Sequence, residues 1–235
     1  MRIAMWSGPR NLSTALMYSF AARGDCGVWD EPFYAPFLAA TGIEHPMGDQ
    51  VIAAHETDPK RVAKACLETV QGDLPHFYMK HMPHHMLPDF PLDWAADCVN
   101  VHLIRHPARV IASYAAKREH PTMLDIGFER QVELYRQIGG VIVDGSDIRQ
   151  SPARALSVLC AEIGLPYTDA MLRWSRGGCA QDGVWAKHWY GAVHQSTGFA
   201  GPEGPLPQLD GAYQALCDKA LPFFNELHRR KLATG

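Results

Sequence analysis

Five short apolar runs punctuate the chain, at Ile3–Trp6, Gly27–Trp29, Phe77–Met79, Cys98–Ile104 and Gly140–Val143. Turn-forming residues bound them, and most lack the alternation of a half-exposed strand, which predicts strands buried on both faces. Between the runs, apolar positions recur at helical spacing over Thr14–Arg23, Pro59–Thr69, Ala108–Lys117 and Phe128–Gln137. This β-α-β-α rhythm predicts a parallel sheet sandwiched by helices. Pro152 stands where a first helical turn accepts proline, so a helix is expected over Ala153–Ile163, ending at Gly164-Leu165-Pro166. A last helix is expected around Ala212–Leu227, after an irregular segment, 175–207, rich in Gly, Pro and aromatic residues.

With 235 residues, 47% of them hydrophobic, the chain has enough apolar material for one large domain over 1–235. Its net charge of -3 gives no basic field for nonspecific nucleic-acid binding, so an anionic ligand must be met by local groups. The amino-terminal run is too short for a signal peptide and no stretch approaches a membrane span, which points to a cytoplasmic protein. Six scattered cysteines, without a C-x-x-C pair, read as reduced structural thiols.

The first strand runs into Ser7-Gly8-Pro9-Arg10-Asn11-Leu12-Ser13-Thr14, and a helix begins at once with Ala15-Leu16-Met17. Strand, tight turn and helix make an anion cradle, because unpaired backbone N–H groups and the helix dipole favour negative charge there. Arg10 adds a full charge and Ser13 and Thr14 add hydroxyl donors, although a Ser/Thr turn of this kind also serves as a plain helix cap. The G-x-x-x-x-G-K-[ST] pattern of nucleotide triphosphatases is absent.

Pro9-Arg10-Asn11-Leu12-Ser13-Thr14 resembles the P-[KR]-S-G-T-T loop by which sulfotransferases hold the 5′-phosphosulfate of their donor, with Leu12 where the family usually has glycine. In Val101-His102-Leu103-Ile104-Arg105-His106-Pro107 through Ser113, an apolar strand delivers Arg-x-Pro and then a serine eight residues after the arginine, which is similar to the family's 3′-phosphate motif. An arginine at a strand end and a serine in the next helix can converge on one phosphate. Asp144-Gly145-Ser146-Asp147-Ile148, followed by the helix to Gly164-Leu165-Pro166, resembles a third family segment. The resemblance implies a P-loop-like, three-layer α/β/α sulfotransferase fold. It also implies a 3′-phosphoadenosine 5′-phosphosulfate co-substrate, held by Gly8 through Thr14 with Arg105 and Ser113, and a small-molecule hydroxyl or amine acceptor.

Sulfonate transfer needs an activated acceptor oxygen, positive charge at the transferring group and in-line placement, and no metal is expected. Arg10 and Lys80 are the candidate cations. Met79-Lys80-His81-Met82-Pro83 resembles the family's K-T-H-L-P element with one residue missing, which makes His81 a candidate base. Glu31, in Asp30-Glu31-Pro32, is the rival base, placed as bacterial carbohydrate-type sulfotransferases place a glutamate. Arg176-Gly177-Gly178 and Trp185-Ala186-Lys187 are loosely similar to the family's donor-covering loop, which puts Arg176, Trp185 and Lys187 over the nucleotide. His81, His84 and His85 lack a carboxylate at metal-ligand spacing. Two rival readings are a P-loop kinase-like phosphotransferase using Asp144 for magnesium and a non-catalytic nucleotide- or partner-binding protein.

Overall fold

The computed structural model describes residues 1–68, 72–116 and 120–234. The five apolar runs form five strands: β1 Arg2–Ser7, β2 Cys26–Asp30, β3 His76–His81, β4 Val99–Ile104 and β5 Val141–Asp144. All pair in parallel, in the order β2-β3-β1-β4-β5, with β1 at the centre. The expected helices are present as α1 Ser13–Ala21, α4 Pro59–Glu68, α5 Pro107–Ala115, α7 Phe128–Ile138, α9 Pro152–Glu162 and α12 Gly211–His228. The expected ends at Thr69 and Lys117 lie outside the described residues. Further helices not foreseen are α2 Tyr34–Thr41, α3 Gly48–Ala54, α6 Met123–Ile126 and α8 Gly145–Gln150. Segment 175–207 also contains two short helical turns, α10 Ala186–Trp189 and α11 Gly191–His194.

Strand alternation divides the core. Ile3, Met5, Val28, Tyr78, Val101, Leu103 and Val143 pack on one face of the sheet against Leu16, Met17 and Phe20 of α1 and Leu156 and Leu159 of α9. Ala4, Trp6, Phe77 and Met79 pack on the other, with Phe33, Val62, Trp94 and Leu134. A third cluster joins Ile104 and Ile142 to α5, α7 and α12. Burying each such side chain contributes about 1.5–3 kcal/mol, so the sheet is fixed from both sides and its carboxyl edge becomes a stiff platform. Among the described residues no helix is long and apolar enough to cross a membrane.

Candidate active site

The carboxyl ends of the strands open into a cavity of about 260 Å³. That is many times the ~30 Å³ share of one water, so it is a site and not a packing defect. Pro9, Arg10, Leu12, Ser13 and Thr14 line it from the β1–α1 turn, Glu31 from the end of β2, Lys80 from β3, and Arg105 and Ser113 from β4 and α5. Residues from five separated stretches of sequence therefore meet at one edge, where ligands of open α/β sheets bind.

The β1–α1 turn is held in an unusual backbone. Arg10 and Leu12 have φ of 62° and 80°, the left-handed region that costs a side chain roughly 1–2 kcal/mol. Leu12 thus occupies, at an energetic cost, a conformation that suits glycine. Neighbouring contacts hold the turn: Asn11 Nδ2 donates to the Leu103 carbonyl at 3.2 Å. A Cβ on Gly8 would lie 2.8 Å from the Ile126 carbonyl oxygen, so that position admits only glycine without movement. Leu12 caps α1 without a side-chain hydrogen bond, and among the described residues the Ser13 and Thr14 hydroxyls make none.

Arg10 Nε donates to Ser113 Oγ at 2.9 Å, and Arg105 Nη1 donates to the Arg10 carbonyl at 2.6 Å. Burial, and then the nearby positive charge of Arg105, push the Arg10 guanidinium below its ordinary pKa. Arg10 has no carboxylate partner among the described residues. A part-buried cation without a counter-ion, facing a cavity, is a place that favours an anion. Arg105 also binds Glu203, from the segment before α12.

The opposite wall holds a buried charge cluster. Lys80 Nζ lies 2.7 Å from Asp30 Oδ1 and 2.7 Å from Glu31 Oε1, and it also donates to the Tyr190 hydroxyl. Glu31 sits at φ 42°, and its backbone N–H donates to the Lys80 carbonyl at 2.9 Å, which turns the chain sharply and aims the carboxylate inward. Burial raises the Glu31 pKa, Lys80 opposes the shift and Asp30 adds to it. For Lys80 burial works against the charge, but Asp30 and Glu31 outweigh it and the ammonium is held more firmly than usual. Glu31 Oε2 faces His85 Nδ1 at 3.8 Å.

Six of the expected residues do not line the cavity: Gly8, Asn11, His81, Arg176, Trp185 and Lys187. His81 follows Lys80 in β3, and the pleat turns it to the opposite face, paired in register with Trp6. It stacks on Trp6 at 4.6 Å between ring centroids and touches Phe33 and Trp94. Neither of its ring nitrogens has a partner among the described residues, and burial depresses its pKa to about 3. Arg176 and Lys187 are exposed. Trp185 is buried against Tyr34 and donates from Nε1 to the Tyr190 hydroxyl at 3.0 Å, so its ring is a packing element behind the site. Segment 175–207 does close over the cavity, but through Trp189, Tyr190, Ala192, Val193 and Ala200. Asn11 is buried and anchors the turn without lining the cavity.

Sequence reasoning missed Asp30, Tyr190, Arg149 and the aromatic wall of Tyr34, His45 and Trp189. Asp30 had a usable signal, since its strand position faces the same way as Lys80, to which it is paired. Asp144 is spent within the fold: its Oδ1 accepts from Ser146 N at 2.8 Å as the cap of α8, and it does not line the cavity. Among the described residues no three His, Cys, Asp or Glu side chains group as metal ligands.

Parallel sheet, left-handed cradle at the first turn and cations converging at the carboxyl edge define a P-loop-like α/β domain with an anion-favouring edge. Residues 1–231 match the sulfotransferase domain family, and the chain belongs to it. It is similar in structure to a sulfotransferase from Alicyclobacillus acidocaldarius (TM-score 0.55, 11% identity, 98% of this chain and 96% of that one). It is also similar to the sulfotransferase domain of the curacin biosynthetic pathway (TM-score 0.52, 14% identity, 94% and 95%). Among curated proteins it is 35% identical over 230 residues to branched-chain-amino-acid aminotransferase-like protein 1 of Arabidopsis thaliana, and 33% identical over 231 residues to protein 2. Each alignment covers 96% of this chain, which spans 41% of the length of those relatives.

Proposed function

We propose that this domain transfers a sulfonate group from 3′-phosphoadenosine 5′-phosphosulfate to the hydroxyl of a small-molecule acceptor, with Glu31 as general base. The observation that carries the reading is the pairing, across one cavity, of the unneutralised Arg10 and its neighbour Arg105 with the buried Glu31–Lys80 pair. A donor with an anionic group at each end suits two guanidiniums at the ends of adjacent strands. The first turn of α1, with Arg10, Ser13 and Thr14, would hold the phosphosulfate.

Glu31 accepts the acceptor's hydroxyl proton as the acceptor oxygen bonds to sulfur. The bond from sulfur to the 5′-phosphate oxygen breaks, and the electron pair leaves on that oxygen, where Arg10 and the α1 amides stabilise it. A raised pKa makes Glu31 a stronger base, and Lys80 at 2.7 Å opposes its premature protonation. The six cysteines are unpaired, which suits a reducing compartment such as the cytoplasm.

Calorimetry with adenosine 3′,5′-bisphosphate tests the donor assignment. Binding is expected to weaken at least tenfold in Arg105→Ala, as loss of a charge-assisted bidentate contact implies. Equal affinity of the unaltered protein for adenosine 5′-phosphate would refute it.

A further inference from the structure

Glu203 lies in an irregular, proline- and glycine-rich segment, Ala200-Gly201-Pro202-Glu203-Gly204-Pro205, yet its side chain is only 4% exposed. Three arginines surround it. Arg105 Nε donates to Oε1 at 3.1 Å, Arg149 Nη1 to Oε1 at 2.8 Å, and Arg109 Nε lies 3.0 Å from Oε2. Ser146 Oγ donates to Oε2 at 2.8 Å. Three guanidiniums around one carboxylate leave two positive charges in excess, and a carboxylate offers two oxygens where four side chains converge. A phosphate monoester dianion, with three terminal oxygens, matches both the charge and the donor count better.

Arg105 and Arg149 line the cavity as well as holding Glu203, whereas Arg109 and Ser146 do not line it. The carboxylate therefore occupies the rim of the donor site, and Arg109 stands behind it as a partner it can keep. The segment is fastened mainly by arginine side chains: Arg149 Nε donates to the Gly201 carbonyl at 2.9 Å and Arg109 Nη2 to that of Gly204. No backbone hydrogen bond ties residues 200–207 to a strand or helix among the described residues. Side-chain contacts, most of them from arginines, hold it in place of a backbone ladder, which is the construction of a segment that can exchange its anion for another.

We propose that Glu203 is an internal placeholder for the donor's 3′-phosphate: the phosphate takes Arg105 and Arg149 from the carboxylate, and the 200–205 segment shifts off the rim as the donor binds. The inference rests on the donor reading above and adds a specificity role to it. A nucleotide without a 3′-phosphate leaves Glu203 in its cage and the segment in place. Only the bisphosphorylated nucleotide has the group that releases it.

Two measurements on the full chain test this. In calorimetry Glu203→Gln is expected to bind adenosine 3′,5′-bisphosphate about tenfold more tightly than the unaltered protein, because a charged competitor has been removed, with affinity for adenosine 5′-phosphate unchanged. In the unaltered protein, a glutamate-specific protease should cut after Glu203 several-fold faster with saturating bisphosphate and no faster with adenosine 5′-phosphate, read by mass spectrometry of the released carboxyl-terminal fragment. Equal or weaker bisphosphate binding by a folded Glu203→Gln protein overturns the placeholder, and so does cleavage left unchanged or slowed by bound bisphosphate. If the variant does not fold, the cleavage assay decides alone. Binding of bisphosphate by neither protein overturns the donor reading itself and the placeholder with it.

Discussion

Glu31→Gln is expected to separate catalysis from stability. The carboxylate is wedged between Lys80 Nζ at 2.7 Å and His85 Nδ1 at 3.8 Å, and burial together with Asp30 raises its pKa. For an acid whose pKa is higher folded than unfolded, the folded state binds more protons between the two values. Stability therefore falls as pH rises through that window, and above it the ionised carboxylate carries the full penalty. Glutamine removes the charge and keeps an amide oxygen for Lys80. It can also offer an N–H to His85 Nδ1, which has no hydrogen-bond partner among the described residues. Lys80 keeps Asp30 at 2.7 Å, so no buried charge is orphaned. The expected change is a gain of zero to about 1 kcal/mol, or up to roughly 2–4 °C for a chain of this size. It should be greatest above that window and shrink below the ordinary carboxylate pKa. Turnover should fall about 10²–10⁴-fold, the loss of a general base, equivalent to roughly 3–5 kcal/mol of barrier. Thermal melts across acid to neutral pH, with bisphosphate release from the donor over a panel of phenols and aliphatic alcohols, read both effects. Turnover within about threefold of the unaltered protein would remove Glu31 from proton transfer. A melting temperature lowered at neutral pH would contradict the electrostatic sign.

His81→Phe keeps a ring against Trp6 and deletes two buried nitrogens without partners, so it should raise stability by about 1–2 kcal/mol and leave turnover unchanged. Because the folded pKa is depressed to about 3, the native His81 contributes stability above the unfolded value near 6.5 that is lost as pH falls toward 3. Urea midpoints at neutral and acid pH should therefore show the variant less acid-sensitive, and a turnover loss beyond tenfold would return His81 to the chemistry. Leu12→Val should destabilise by roughly 1–2 kcal/mol more than Leu12→Gly, since β-branching aggravates a left-handed φ of 80° that glycine adopts freely. Equal thermal melts for the two would argue against that backbone.

The strands were legible as apolar runs bounded by turn residues, and six of the helices because their apolar positions recur at helical spacing. Helix α2 was not, because Tyr34, Ala35, Pro36, Phe37 and Leu38 are all buried and leave no polar stripe to set a phase. The cationic residues were legible where a motif fixed them to strand ends, as with Arg10, Lys80 and Arg105. His81 shows the limit of motif reading. A one-residue difference in spacing leaves the residue type in place and sends it to the other face, and only the register with Trp6 reveals which face that is. Glu203 had no signal at all, since its partners lie 54 to 98 positions away on three separate elements and nothing in local spacing encodes a charge pairing of that reach.

Five non-glycine residues have positive φ among the described residues, and three of them, Arg10, Leu12 and Glu31, line the cavity. Each such conformation costs of order 1–3 kcal/mol and persists only where neighbours over-determine it. Here the neighbours are identifiable. Asn11 ties the first turn to Leu103, and a Cβ on Gly145 would sit 3.0 Å from the Asn11 carbonyl, so the β5–α8 turn closes against the same loop. At Glu31 the hydrogen bond to the Lys80 carbonyl fixes the bend, and the Lys80–Asp30 pair holds the strand end from the side. At Arg10 and Glu31 the strain falls on positions that turn a cation and a carboxylate inward from the sheet edge, where an extended or helical backbone would direct them elsewhere. Conformational cost, charge placement and cavity are thus one arrangement, and relaxing the backbone at any of the three residues should misplace the group it carries before it unfolds the sheet.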